Sequence, residues 1–140
     1  VMKPGGTLVA TYWLDLPLLE IGQEVFATVT GSAPPVRERG PMSLSQPGLM
    51  EGFLKDAGFH TFSTSDSEYS FQLGKDEDMM FKIGCLPVRT ALEEATAGKP
   101  GAMVLAKRAF FHAMGKHGFR DPNGGLVVSG MRFRMVVAHK

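Results

Sequence analysis

The sequence predicts an α/β fold, and three observations carry that prediction. A Pro-Gly turn, Lys3-Pro4-Gly5-Gly6, leads into the β-branched and aromatic run Thr7 to Tyr12. Apolar positions then recur at helical spacing through the middle of the chain, and an apolar strand, Arg132 to Ala138, closes it. Helices and strands are mixed along the chain rather than segregated, which is the α/β pattern. With 140 residues, 44% hydrophobic and 21% charged, this is ordinary globular material, enough for one compact domain or a large piece of one.

In the opening turn the proline presets φ at the second position, and Gly5 takes the positive φ that a type II turn needs at its third. Thr7 to Tyr12 reads as a strand from the middle of a sheet, because such side chains fit a pleated, buried surface. Leu16 to Thr30 follows as a helix. Gly31 to Pro41, with three prolines and three charges, reads as an exposed, adjustable loop. Ser43 to Pro47 opens the next helix, with Ser45 as N-cap and Pro47 in the first turn, where a proline loses no hydrogen bond. Leu49, Met50, Phe53, Leu54 and Ala57 form its apolar stripe. Gly58 ends it as a left-handed cap, with Phe59 where a Schellman ending makes its hydrophobic contact.

From His60 to Leu73, alternation runs through Phe62 and Thr64, then through Tyr69, Phe71 and Leu73 on the opposite parity. That change predicts a bulge or bend between the halves. Residues 75–117 read as a helical excursion. Asp76, Glu77 and Asp78 suit the positive end of a helix dipole, and Pro87 opens a second segment containing Val88, Ala91, Leu92 and Ala95. A third follows Gly98-Lys99-Pro100-Gly101. Its positions Ala102, Leu105, Ala106, Ala109, Phe110 and Ala113 repeat at helical spacing, while Met103, Val104, Phe111 and Met114 widen the apolar surface and predict contacts on two sides. The turn Arg120 to Gly125 precedes the closing strand, on which Phe133, Met135 and Val137 share a face.

Charge narrows the functional classes. The formal charge of +1 conceals 4 basic and 8 acidic side chains in residues 1–70 against 11 and 6 in residues 71–140. The basic residues are scattered, without the cluster or aromatic stripe that a phosphate backbone rewards, so nucleic-acid binding is not expected. Cys85 is the only cysteine, which excludes an internal disulfide and a cysteine-based zinc site and fits a reducing compartment. Its neighbours Ile83 and Leu86 predict a buried structural thiol. No apolar run approaches the ~18 residues of a membrane span. His112 and His117 lie five apart, roughly 140° around a helix, and do not converge on one ion. Residue 1 is Val rather than Met, so we expect a chain that starts partway through a fold, with any targeting segment ahead of Val1.

In this order, VMKPGGTLVATYW, SLSQPGLMEGFLKDAGF, a helical insertion, FRDPNGG and a closing strand, the chain resembles the C-terminal half of a class I S-adenosylmethionine-dependent methyltransferase. It is most similar to the methyltransferase type 11 and quinone-biosynthesis C-methyltransferase group. The resemblance implies a Rossmann-like, seven-stranded, mostly parallel sheet whose antiparallel seventh strand is inserted between the fifth and sixth. This chain would supply strands five to seven: Thr7 to Tyr12, His60 to Leu73 and Arg132 to Ala138. It implies a partial domain over residues 1–140. Within it, 1–73 form a strand-helix-helix-strand part, 74–118 a helical acceptor-side cover and 119–140 the turn and closing strand. S-adenosylmethionine would be the methyl donor of the intact protein, which would be cytoplasmic. The family's glycine-rich loop, ribose-binding acid and adenine contacts have no matching positions here, so no cofactor-binding residue is assigned.

What the chain is expected to contribute is the acceptor side. Ligands of open α/β sheets sit beyond the carboxyl ends of parallel strands, where Tyr12 and Trp13 fall. Both are candidates for the acceptor pocket; both also fit packing aromatics at a strand end. By the resemblance, Met79 to Leu86 and Ala102 to Met114 cover that pocket, with Met79, Met80, Phe81, Phe110 and Phe111 offering an apolar lining suited to a small apolar or aromatic acceptor. The same residues also fit a helical core. Methyl transfer asks chiefly for in-line positioning and desolvation, so no catalytic side chain is assigned. The alternative is a non-catalytic fragment or subunit that completes its sheet with another polypeptide, whether a missing N-terminal half or a second copy, through an edge exposed by the first strand. A nicotinamide-dependent doubly wound enzyme is a third possibility, against which the closing antiparallel strand argues.

Overall fold

A computed structural model of the chain describes residues 2–35 and 40–140. The elements run β1 (Thr7–Asp15), α1 (Pro17–Thr30), α2 (Leu49–Asp56), β2 (Thr61–Gly74), α3 (Glu77–Gly84), one 3-10 turn (Leu86–Val88), α4 (Arg89–Thr96), α5 (Ala102–His117), β3 (Gly118–Arg120) and β4 (Leu126–His139). They form an α/β structure whose sheet has the order β1-β4-β2, with β3 paired to β4. β4 runs antiparallel to β1 from Thr7↔His139 to Asp15↔Arg132, with an irregularity between Trp13 and Asp15. On its other side Asp66 meets Arg134 and Ser70 meets Ser129, numbers that move in opposite directions, so β2 is antiparallel to β4 as well. β1 and β2 therefore share one direction, with the last strand reversed between them.

The chain divides into two units. The first holds β1, α2, residues 61–69 of β2 and 131–139 of β4. The register puts Leu8, Ala10 and Tyr12 on one face with Ala138, Val136 and Arg134, and Val9, Thr11 and Trp13 on the other with Val137, Met135 and Phe133. Among the described residues only the first of these faces is covered: Tyr12, Val136 and Ala138 pack with Met50, Leu54 and Phe59 into its core. Burying an aliphatic side chain of this size stabilises by about 1.5–3 kcal/mol. Phe133, Met135 and Val137 do share a face, but it is the uncovered one. α2 ends as predicted: Gly58 has φ 80°, its N–H donates to Lys55 O, and the Phe59 N–H donates to Leu54 O at 2.9 Å.

The second unit holds α1, residues 70–74 of β2, the helices α3 to α5, β3 and residues 126–130 of β4. α1 starts on Pro17 at its first turn, ends on left-handed Gly31, and buries Leu18, Ile21, Gly22, Val25 and Phe26 at helical spacing. It packs along α5, whose buried residues include the small side chains Ala106, Ala109 and Ala113. Gly84 is required by close approach, since a Cβ there would collide with the ring of Phe110. Asp76 caps α3 by accepting the Met79 N–H at 2.8 Å.

The structure corrects two expectations, the cap of α2 and the start of the last strand. Ser45 is not an N-cap: its hydroxyl donates to Met42 O at 2.7 Å within a turn, and α2 begins four residues later behind Gly48, φ 82°. β2 is continuous from Thr61 to Gly74. Its parity change corresponds to a change of core, since Phe62 packs against the first unit's core and Leu73 is buried in the second unit. β4 begins at Leu126, six residues before the predicted start, because Leu126, Val127 and Val128 pair with the unforeseen strand β3. Asp121 closes that hairpin by accepting the N–H groups of Asn123 and Gly125, each at 2.8 Å. Of the predicted loop at residues 31–41, residues 36–39 lie outside the described residues.

Candidate functional site

The end of β1 builds an open cavity of about 890 Å³ in the first unit. β1 contributes Thr11, Tyr12 and Trp13, α2 contributes Leu49 and Phe53, the turn before it Gly40, Pro41, Ser43 and Leu44, and the sheet Tyr69 and Phe133. Strand geometry explains the aromatic wall. Trp13 stands opposite Phe133 on the uncovered face, the rings edge-to-face at 6.3 Å, and it stacks on Tyr69 at 6.5 Å with planes 23° apart. Helix geometry explains the apolar wall. The α2 stripe is wider than the sheet beneath it, so Met50 and Leu54 are buried while Leu49 and Phe53 turn to the cavity, Phe53 remaining 53% exposed.

Tyr12 differs from its neighbour Trp13. Its body is core, and Arg134 stands opposite it on β4. Arg134 in turn holds Asp66 of β2 by two bonds, at 2.6 and 2.9 Å. That bidentate pair keeps the Asp66 carboxyl below the usual carboxylate range and raises Arg134 above its own. Arg134 on the middle strand thus holds Asp66 of β2 beside its register partner Tyr12.

Among the described residues, no side chain lining the cavity is charged, and its polar side-chain groups are the hydroxyls of Thr11, Tyr12, Ser43 and Tyr69 and the indole N–H of Trp13. Nothing in this set forms an acid-base pair. The site can bind, orient and desolvate an uncharged planar molecule.

The other four expected residues lie in the helical unit. Met79 is 52% exposed. Phe81, Phe110 and Phe111 form a chain of edge-to-face rings at 5.8 and 5.2 Å. Phe110 is fully buried against Gly84 and is core. Phe81 lines a groove between helices, and Phe111 a separate cavity with Met114 and Phe119. Sequence reasoning missed Leu44, Phe53, Tyr69 and Phe133; the width of the α2 stripe signalled Phe53, whereas Tyr69 and Phe133 depend on register.

The remaining reactive groups are structural. Cys85 is buried, and burial pushes its thiol up to about 12, so it is protonated at neutral pH and no nucleophile. His117 lies 3.7 Å from Glu24, which Lys116 holds at 2.6 Å. Among the described residues no cluster of three metal-ligating side chains occurs, and no helix is long and apolar enough to cross a membrane. No protein-family model and no curated protein matches this chain.

Proposed function

We propose that this chain is the acceptor-side, sheet-closing portion of an S-adenosylmethionine-dependent methyltransferase that acts on a small, uncharged aromatic molecule. The observation that carries the reading is the strand order: the last strand lies between the other two and runs against both, as the resemblance calls for in strands five, seven and six. The aromatic cavity at the end of β1, which no charged side chain lines among the described residues, supports the acceptor side. The residues present do not fit the donor. The β1-to-α1 junction, Asp15-Leu16-Pro17, has none of the glycines that let a backbone approach a dinucleotide's phosphates. No step through the donor is assigned to these residues; theirs is to hold the acceptor and exclude water.

Trp13, the only tryptophan, reports on the cavity directly. A neutral bicyclic aromatic, 1,4-naphthoquinone, is expected to quench its emission saturably, with 1-naphthoate binding at least tenfold more weakly. Phe53→Asp, at an exposed position, is expected to abolish the saturable quenching. Failure of the neutral probe to saturate, or equal binding of the anion, contradicts the acceptor role.

A second reading, a subunit that completes its sheet against another polypeptide, draws on β1 itself. Its only described strand partner is β4, it is apolar on both faces like an interior strand, and Val9 is 58% exposed. Sedimentation separates the two: concentration-dependent dimerisation that Thr11→Pro abolishes favours the subunit reading.

A further inference from the structure

Asn123 is the chain's only asparagine, and Gly124 follows it. The pair stands at the tip of the hairpin joining β3 to β4, beyond the last register partners Arg120 and Leu126. Both residues are exposed, Gly124 holds φ at 82°, and a Cβ built there would meet nothing within 4 Å. Tight turns favour this dipeptide because its second residue takes a positive φ freely. The same missing Cβ leaves the Asn123 side-chain amide open to attack by the backbone nitrogen that follows it.

The loop restrains that nitrogen. Asp121 meets three successive N–H groups: its Oδ1 accepts from Asn123 and Gly125, each at 2.8 Å, and its main-chain carbonyl accepts from Gly124 at 2.9 Å. Two further bonds close the loop, from the Asp121 N–H to Gly125 O at 2.8 Å and from the Arg120 guanidinium to Gly124 O at 2.9 Å. A nitrogen whose proton is held by a carbonyl neither ionises nor turns towards Asn123 until the turn opens. That opening frees a few exposed residues and costs far less than unfolding the chain.

We infer that Asn123 is a site of spontaneous self-modification, deamidation through a cyclic imide, and that Asp121 sets its pace. The Gly124 nitrogen loses its proton to hydroxide and attacks the side-chain carbonyl carbon of Asn123. The new C–N bond closes a five-membered imide, and the side-chain nitrogen leaves as ammonia. Water then opens the ring at one carbonyl or the other, leaving aspartate or isoaspartate at position 123. Either product adds a carboxylate beside Asp121, and isoaspartate also lengthens the main chain by one carbon within the loop that Asp121 holds. The inference does not depend on methyl transfer.

Mass spectrometry of the whole chain incubated at pH 8 tests it, through a gain of one dalton that maps to the peptide holding Asn123. The folded chain is expected to acquire this gain steadily, and the chain unfolded in guanidinium to acquire it roughly tenfold faster. Asp121→Ala should speed the folded reaction roughly threefold. Asp121→Ser, which keeps an accepting oxygen, should bring the rate back towards that of the native chain, and Asn123→Ala should abolish the gain. Circular dichroism shows whether each variant folds; should Asp121→Ala fail to fold, the comparison of folded and unfolded native chain decides alone. No gain by the folded chain while the unfolded chain reacts to completion, equal rates for the two, or an unchanged rate in folded Asp121→Ala overturns the inference.

Discussion

The two units solve the burial problem differently. In the helical unit the interior is closed: Ile21, Val25, Met80, Phe110 and Val128 are fully sealed, and glycines at 22 and 84 let neighbouring groups come into contact. In the sheet unit one face of β1 and β4 is covered by a single two-turn helix, and the other carries Val9, Trp13, Phe133 and Met135 without a described cover. The difference teaches where binding is to be sought. A closed core sets a rigid frame, and surplus apolar surface outside such a core is surface available to a ligand.

That contrast is open to mutation. Phe110→Ala removes a ring from a sealed site and is expected to cost about 3–5 kcal/mol, read from urea denaturation. Leu54→Ala in the sheet unit is expected nearer about 2–3 kcal/mol, since its surroundings are partly open and can collapse. Equal costs would erase the distinction between the two cores.

A smaller effect concerns the helical unit's surface. The bond from Lys116 is the chief reason why the Glu24 carboxyl sits below its ordinary value of 4.5, and His117 adds to it. A carboxylate with a lowered folded-state value stabilises fully above the unfolded value, and the contribution is lost as pH falls through the folded one. Both side chains are partly exposed, so Lys116→Met is expected to cost only about 0.5 kcal/mol at pH 7. That cost should shrink towards zero as the pH drops below 4.5, measured by denaturant melts across pH. A cost that persists in acid would mean that Lys116 acts through packing.

Local signals made much of this fold legible. The run Thr7 to Tyr12, the helix behind Pro17, the glycine ending of α2 and the acidic start of α3 each depend on a few consecutive residues, and each stands where the sequence puts it. The losses lie where a distant partner decides. Leu126 to Val128 become strand because Gly118–Arg120 pair with them across a hairpin loop. Ser45 is withdrawn from capping by a turn made with Met42. At the candidate site, Tyr12 and Trp13 were legible as aromatics at a strand end. Their separate roles were not, because only the register sets Tyr12 against Arg134 and Trp13 against Phe133.

The most direct test of the proposed function is calorimetric titration of S-adenosylmethionine into the 140-residue chain and into the longest polypeptide its reading frame encodes. The proposal expects no binding by the 140 residues and clear binding by the longer polypeptide. Binding by the 140 residues alone, or by neither, would contradict it.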